Sequence, residues 1–114
     1  MSKHILIADD EPEVRAVAVD MLQAEGYRTL DTGDPMLALR IARTDAQPIH
    51  LLLTDVVMPL MNGRELADQL RAIRLGIKVL YMSAYSTETV EDYGIRLAPG
   101  EPFVLKPFTM ESLA

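Results

Sequence analysis

The sequence contains no cysteine, which excludes disulfides and thiolate metal sites. It holds no apolar run much longer than a β-strand, so no segment reads as a membrane span or as the charged-then-apolar leader of a secreted protein. Cationic residues are outnumbered: eleven Lys and Arg face seventeen Asp and Glu for a net charge of −6. With no basic run and no aromatic-rich basic face, direct contact with nucleic acid is not expected. What remains is a cytoplasmic protein with no membrane association. Its 49% hydrophobic and 25% charged residues suit one core, giving a single domain over residues 1–114.

Four short apolar runs stand out: Ile5-Leu6-Ile7-Ala8, Leu51-Leu52-Leu53-Thr54, Val79-Leu80-Tyr81-Met82 and Phe103-Val104-Leu105. Each is bounded and rich in β-branched or large apolar residues, the pattern of strands buried on both faces. A chemistry-bearing group follows each one: Asp9 and Asp10, Asp55, Ser83 and Lys106. A fifth and weaker strand is expected over Tyr27 to Leu30.

Amphipathic segments alternate with these runs. Pro12 to Glu25 places Val14, Val17, Ala18, Met21 and Leu22 on one stripe of a helix, and Gly26 sits where a helix C-cap belongs. Asp34 and Pro35 open a second helix that runs to about Thr44 and buries some of Leu37, Ala38, Ile41 and Ala42. After a Pro59 and Asn62-Gly63 loop, a third helix from Arg64 to Arg74 turns Leu66, Ala67, Leu70 and Ile73 to the core. Ser86 to Arg96 makes a poorer, short or mobile fourth helix, and Thr109 caps a fifth that stops at Ala114.

This βα alternation implies an α/β fold of the flavodoxin-like, doubly wound kind: a five-stranded parallel sheet in the order 2-1-3-4-5. Ligands of such sheets bind at the carboxyl ends of the strands, near the switch point between strands one and three. Asp9, Asp10, Asp55, Ser83 and Lys106 would all converge there. Carboxylates crowded at one edge repel, and a divalent cation relieves them. Magnesium is the economical choice, because it takes hard oxygens, keeps several waters and meets phosphate. Asp55 then becomes a nucleophile for phosphoryl groups, with a hydroxyl and an ammonium from strands four and five holding the phosphoryl oxygens.

These residues resemble the receiver domain of two-component response regulators. The likeness runs from Ile5-Leu6-Ile7-Ala8-Asp9-Asp10-Glu11 through Leu53-Thr54-Asp55-Val56-Val57-Met58-Pro59 and Tyr81-Met82-Ser83-Ala84-Tyr85 to Lys106-Pro107-Phe108. The wording around Asp55 and Ser83 is most like receivers of hybrid histidine kinases, while Met1 just before the first strand looks like a stand-alone or amino-terminal receiver. The resemblance implies Asp55 as the phosphorylated aspartate and a magnesium ligand, Asp10 as a direct magnesium ligand, Asp9 as a ligand through water, and the Val57 carbonyl as a further ligand. It implies Ser83 and Lys106 on the phosphoryl group, a cis Lys106-Pro107 bond, and Phe103 as the aromatic switch. It implies a histidine kinase or histidine phosphotransfer protein as donor, an unknown downstream protein target, and a signalling module rather than a turnover enzyme. A homodimer through an exposed apolar face is compatible with it.

Two other functions compete. A pseudo-receiver would bind a partner without phosphorylation, but it would not need Asp9, Asp10, Asp55, Ser83 and Lys106 together. An aspartate-nucleophile phosphohydrolase would need a second acid where Val57 stands. His4 and His50, each alone before a strand, read as edge residues, and the methionines Met21, Met58, Met61 and Met82 as packing.

Overall fold

The protein is described here by a computed structural model covering residues 3–44, 49–58, 61–74, 76–83 and 103–105. The strands are β1 (His4–Ala8), β2 (Arg28–Thr32), β3 (Leu51–Asp55), β4 (Lys78–Ser83) and β5 (Phe103–Leu105). All pair in parallel, in the order β2-β1-β3-β4-β5. The helices are α1 (Pro12–Ala24), α2 (Pro35–Thr44) and α3 (Gly63–Ile73). The expected fourth and fifth helices, Tyr85, Lys106 and the Lys106-Pro107 bond lie outside the described residues.

Period-2 alternation divides the sheet between two cores. Leu6, Leu52 and Val79 are cross-strand partners and face α2 and α3, together with Ala38, Leu39, Leu66 and Leu70. Ile7, Leu53 and Leu80 are partners one residue on and face α1, against Ala18 and Leu22. Strands covered on both sides have no polar face to spare, which is why these runs read as continuous apolar sequence.

Several boundaries differ from the sequence reading for local reasons. β2 starts at Arg28 rather than Tyr27, because the Tyr27 N–H closes α1 by donating to Leu22 O at 3.1 Å. Gly26, at φ +91°, donates to Gln23 O in the same motif, the left-handed helix stop that glycine favours. Asp55 and Ser83 are the last residues of their strands rather than the first beyond them, and they are registered against Met82 and Leu105. α3 begins at Gly63. Asn62 caps it, accepting from Glu65 N at 2.8 Å while Glu65 accepts from Asn62 N at 3.1 Å.

The stripe on α1 is also rotated. Val17 is 47% exposed, whereas Val19 packs on the core beside Val14 and Met21. On α2 Leu37 is exposed, and Leu39, missing from the expected face, is buried. Asp34 accepts from Met36 N at 2.9 Å, as a cap should.

Candidate functional site

The carboxyl ends of β1 and β3 place two acids side by side. Ala8 is registered against Thr54, so the next residues, Asp9 and Asp55, continue the neighbouring positions two residues beyond Ile7 and Leu53. Both are buried, Asp9 fully and Asp55 to 4% exposure. Glu11 joins them: ligand oxygens of Asp9, Glu11 and Asp55 all lie within 4.8 Å of one another. At such a separation two carboxylate charges repel by roughly 3 kcal/mol at an effective dielectric of about 20.

Four hydrogen bonds help hold this crowded edge in place. The Asp9 Oδ1 atom accepts from Glu11 N at 2.9 Å, turning the chain sharply after β1. Arg15, one turn into α1, donates from Nη1 to Asp9 O at 2.8 Å and from Nε to Asp31 Oδ2 at 2.9 Å, tying the β1 loop to β2. At the other acid, Gly63 N donates to Val56 O at 2.8 Å, which draws the start of α3 against the end of β3. A Cβ on Gly63 would stand 2.2 Å from Asp55 O, so no larger residue fits that approach.

Ser83 ends the next strand, fully buried, one residue past the Asp55 partner Met82. Its own partner, Leu105, immediately precedes Lys106 in sequence. The structure therefore brings Asp9, Asp55 and Ser83 to one sheet edge, as expected. Asp10 is exposed and outside the three-acid group; the third member is Glu11, the next residue along, which its place in the motif does not single out. Val57 follows the site half-buried, packed against the core.

The group tests well for a hard cation. It offers only carboxylate oxygens, with no His or Cys, the hard donors that magnesium prefers.

The sequence profile of the response regulator receiver domain matches residues 5–114. The chain belongs to this family. Over 99% of its length the receiver domain is 33% identical to the sensor kinase CckA of Brucella abortus, of which it spans 12%. It is 27% identical over 96% of its length to the response regulator SaeR of Staphylococcus aureus, of which it spans 46%. The chain thus spans less than half of these curated relatives. A crystal structure of the receiver domain of the hybrid histidine kinase CckA superimposes with a TM-score of 0.78 at 34% identity, covering 96% of this chain and 91% of that one. The fold and the two-component signalling class are those expected from the sequence.

Arg15 of this receiver domain was invisible to motif reading, since a basic residue on a helix is ordinarily a solvated charge. Its signal lies in Gly33, where an added Cβ would meet Arg15 Nη1 at 2.7 Å, so a small residue leaves the guanidinium its berth. We predict that Arg15→Ala lowers stability by about 1–2 kcal/mol, the worth of one charged hydrogen bond plus a partly exposed ion pair. Arg15→Lys should recover only part, because an ammonium does not span both acceptors as a fork does. Urea denaturation of the two variants checks this, and an unchanged Arg15→Ala midpoint would refute the clamp.

Proposed function

We propose that this receiver domain accepts a phosphoryl group on Asp55 from a phosphohistidine of a histidine kinase or histidine phosphotransfer protein. The observation that carries the reading is the buried pair Asp9 and Asp55 at one sheet edge, with buried Ser83 ending the adjacent strand. An Asp55 carboxylate oxygen forms the new O–P bond as the P–N bond to the donor imidazole breaks, and the imidazole leaves with its electron pair and takes a proton. Asp9, Asp10, Asp55 and the Val57 carbonyl would hold a magnesium ion, which supplies charge neutralisation to the transferring group. Glu11 is the alternative third carboxylate, suggested by its place in the group of three.

Ser83 then donates to a phosphoryl oxygen and Lys106 pairs with the charge, so the pull on Ser83 is transmitted along β4 and β5. Phe103 is half-buried and packs against the core that holds its register partner Tyr81. It has no hydroxyl, so its inward or outward preference rests on packing. The output is a changed protein-docking face, and the domain is a signalling module that catalyses its own labelling.

The test is direct. Incubation with magnesium and acetyl phosphate should add the mass of one phosphoryl group, and Asp55→Ala should add none. Absence of label on a folded wild-type domain would instead favour partner binding without phosphorylation.

A further inference from the structure

The opposite edge of the sheet has the reverse charge. Arg28 opens β2 and is registered against His4, Lys3 precedes β1, His50 precedes β3, and Lys78 opens β4. Backbone bonds fix them as neighbours: Arg28 N to Lys3 O at 2.9 Å, His50 N to His4 O at 2.9 Å, and Lys78 N to His50 O at 3.2 Å. Lys3, Arg28, His50 and Lys78 are all exposed. In a chain of net charge −6, whose other sheet edge holds the crowded acids, such a row is where an anion can approach.

Under that row lies a cavity of about 620 Å³. Its apolar floor is made by Ile5, Leu22 and Leu51 from the α1 side and by Ile49 and Ile77 from the other core. Lys3, His50 and Lys78 rise at its rim. The size lies within the ordinary range for small-molecule sites, and an apolar floor with a few convergent polar groups is their usual make-up. The histidines set one donor. His50 Nδ1 accepts from His4 N at 3.0 Å, and the two rings stack at 5.9 Å and 17°. Accepting at Nδ1 places the neutral ring's proton on Nε2, as a donor.

We propose that this edge is a binding site for a small amphipathic anion, a carboxylate with an apolar body. The body covers the Ile5, Leu51 and Ile77 floor, and the carboxylate meets the Lys3 and Lys78 ammonium groups and His50 Nε2–H. Lysine stems can lie along apolar surface while their heads stay in water, so Lys3 and Lys78 would widen the floor as well as charge the rim. The site is on the far edge from Asp55 and owes nothing to phosphoryl chemistry.

Octanoate is the probe, titrated into the isotope-labelled chain without phosphodonor and followed by amide and imidazole NMR, with octylammonium as the matched cation. Octanoate should shift Lys3, His50, Gly76 and Lys78 at concentrations up to about 5 mM, a weak-ligand range. It should leave the amides of Asp9 and Asp55 in place, and octylammonium should not reproduce the shifts. The variant K3E/K78E should weaken binding about tenfold, and K3Q/K78Q by less, since each exposed charge contact is worth only a few-fold. Both changes are at exposed positions, and an unperturbed spectrum elsewhere verifies the fold. No shift at this edge, equal binding of octylammonium, or full affinity in K3E/K78E would each overturn the proposal.

Discussion

Gly63→Ala should cost about 3 kcal/mol of stability and impair the acid site with it, a large effect for the addition of one methyl group. The reason is spatial. The new Cβ would lie 2.2 Å from Asp55 O and 3.0 Å from both Asp55 C and Val56 Cα, all backbone atoms that no rotamer change can move aside. Relief requires α3 to lift off β3, which breaks the Gly63 N to Val56 O bond and unseats the buried face of Leu66, Ala67 and Leu70. The Asp55 carbonyl would be pushed as well, so labelling by acetyl phosphate should slow even where the variant remains folded. Gly26→Ala is the control. Its φ of +91° strains alanine, but nothing lies within 4 Å, so it should cost only about 1 kcal/mol and spare the site. Urea denaturation of both variants decides it: a Gly63→Ala midpoint equal to that of wild type would mean the close approach is not maintained in solution.

Asp9→Asn with Asp10→Asn should slow magnesium-dependent labelling of Asp55 by about 100-fold. The same double change should stabilise the domain in a chelator by about 1 kcal/mol, because it relieves like-charge crowding around a buried carboxylate. The two effects have opposite signs and one cause. Carboxylates within 4.8 Å of one another destabilise the empty fold and become useful only when a cation is shared among them. Intact mass measured against time gives the first effect, and chemical denaturation with and without magnesium gives the second. The single variants then separate two third ligands. The receiver motif assigns Asp10, and Asp10→Asn should be the slower of the two; if Glu11→Gln is slower, the clustered geometry is the functional one. A double variant that labels at the wild-type rate would remove magnesium from the proposal.

Much of this site was legible in advance because its parts are local. A strand covered on both faces must be a short continuous apolar run, so Ile5 to Ala8 and Leu51 to Thr54 announced themselves, and the acids at their carboxyl ends came with them. Asn62 was legible only as half of a turn, although Glu65 three residues on completes a capping box. Val17 and Leu37 misled because a helical stripe defines a face only to within about one residue's 100° turn. Which side of that stripe meets the sheet depends on the shape of the partners. Ile7, Leu53 and Met82 accept Val19 in place of Val17, and the core beneath α2 takes Leu39 and leaves Leu37 outside.

The sequence by itself determined the order of the described strands and helices, the parallel α/β class, the family and the meeting of Asp9 with Asp55 at one edge, since each is carried by composition within a few residues of chain. Only the tertiary structure decided that Asp9 and Asp55 follow the registered pair Ala8 and Thr54, that Glu11 rather than Asp10 stands with them, and that Arg15 and Gly63 hold the two loops. It also gathered Lys3, His50 and Lys78 over one apolar floor. These relations join residues as far apart as Lys3 and Lys78, and their distances are settled by how strands pair and how closely backbones approach, quantities that no local pattern encodes.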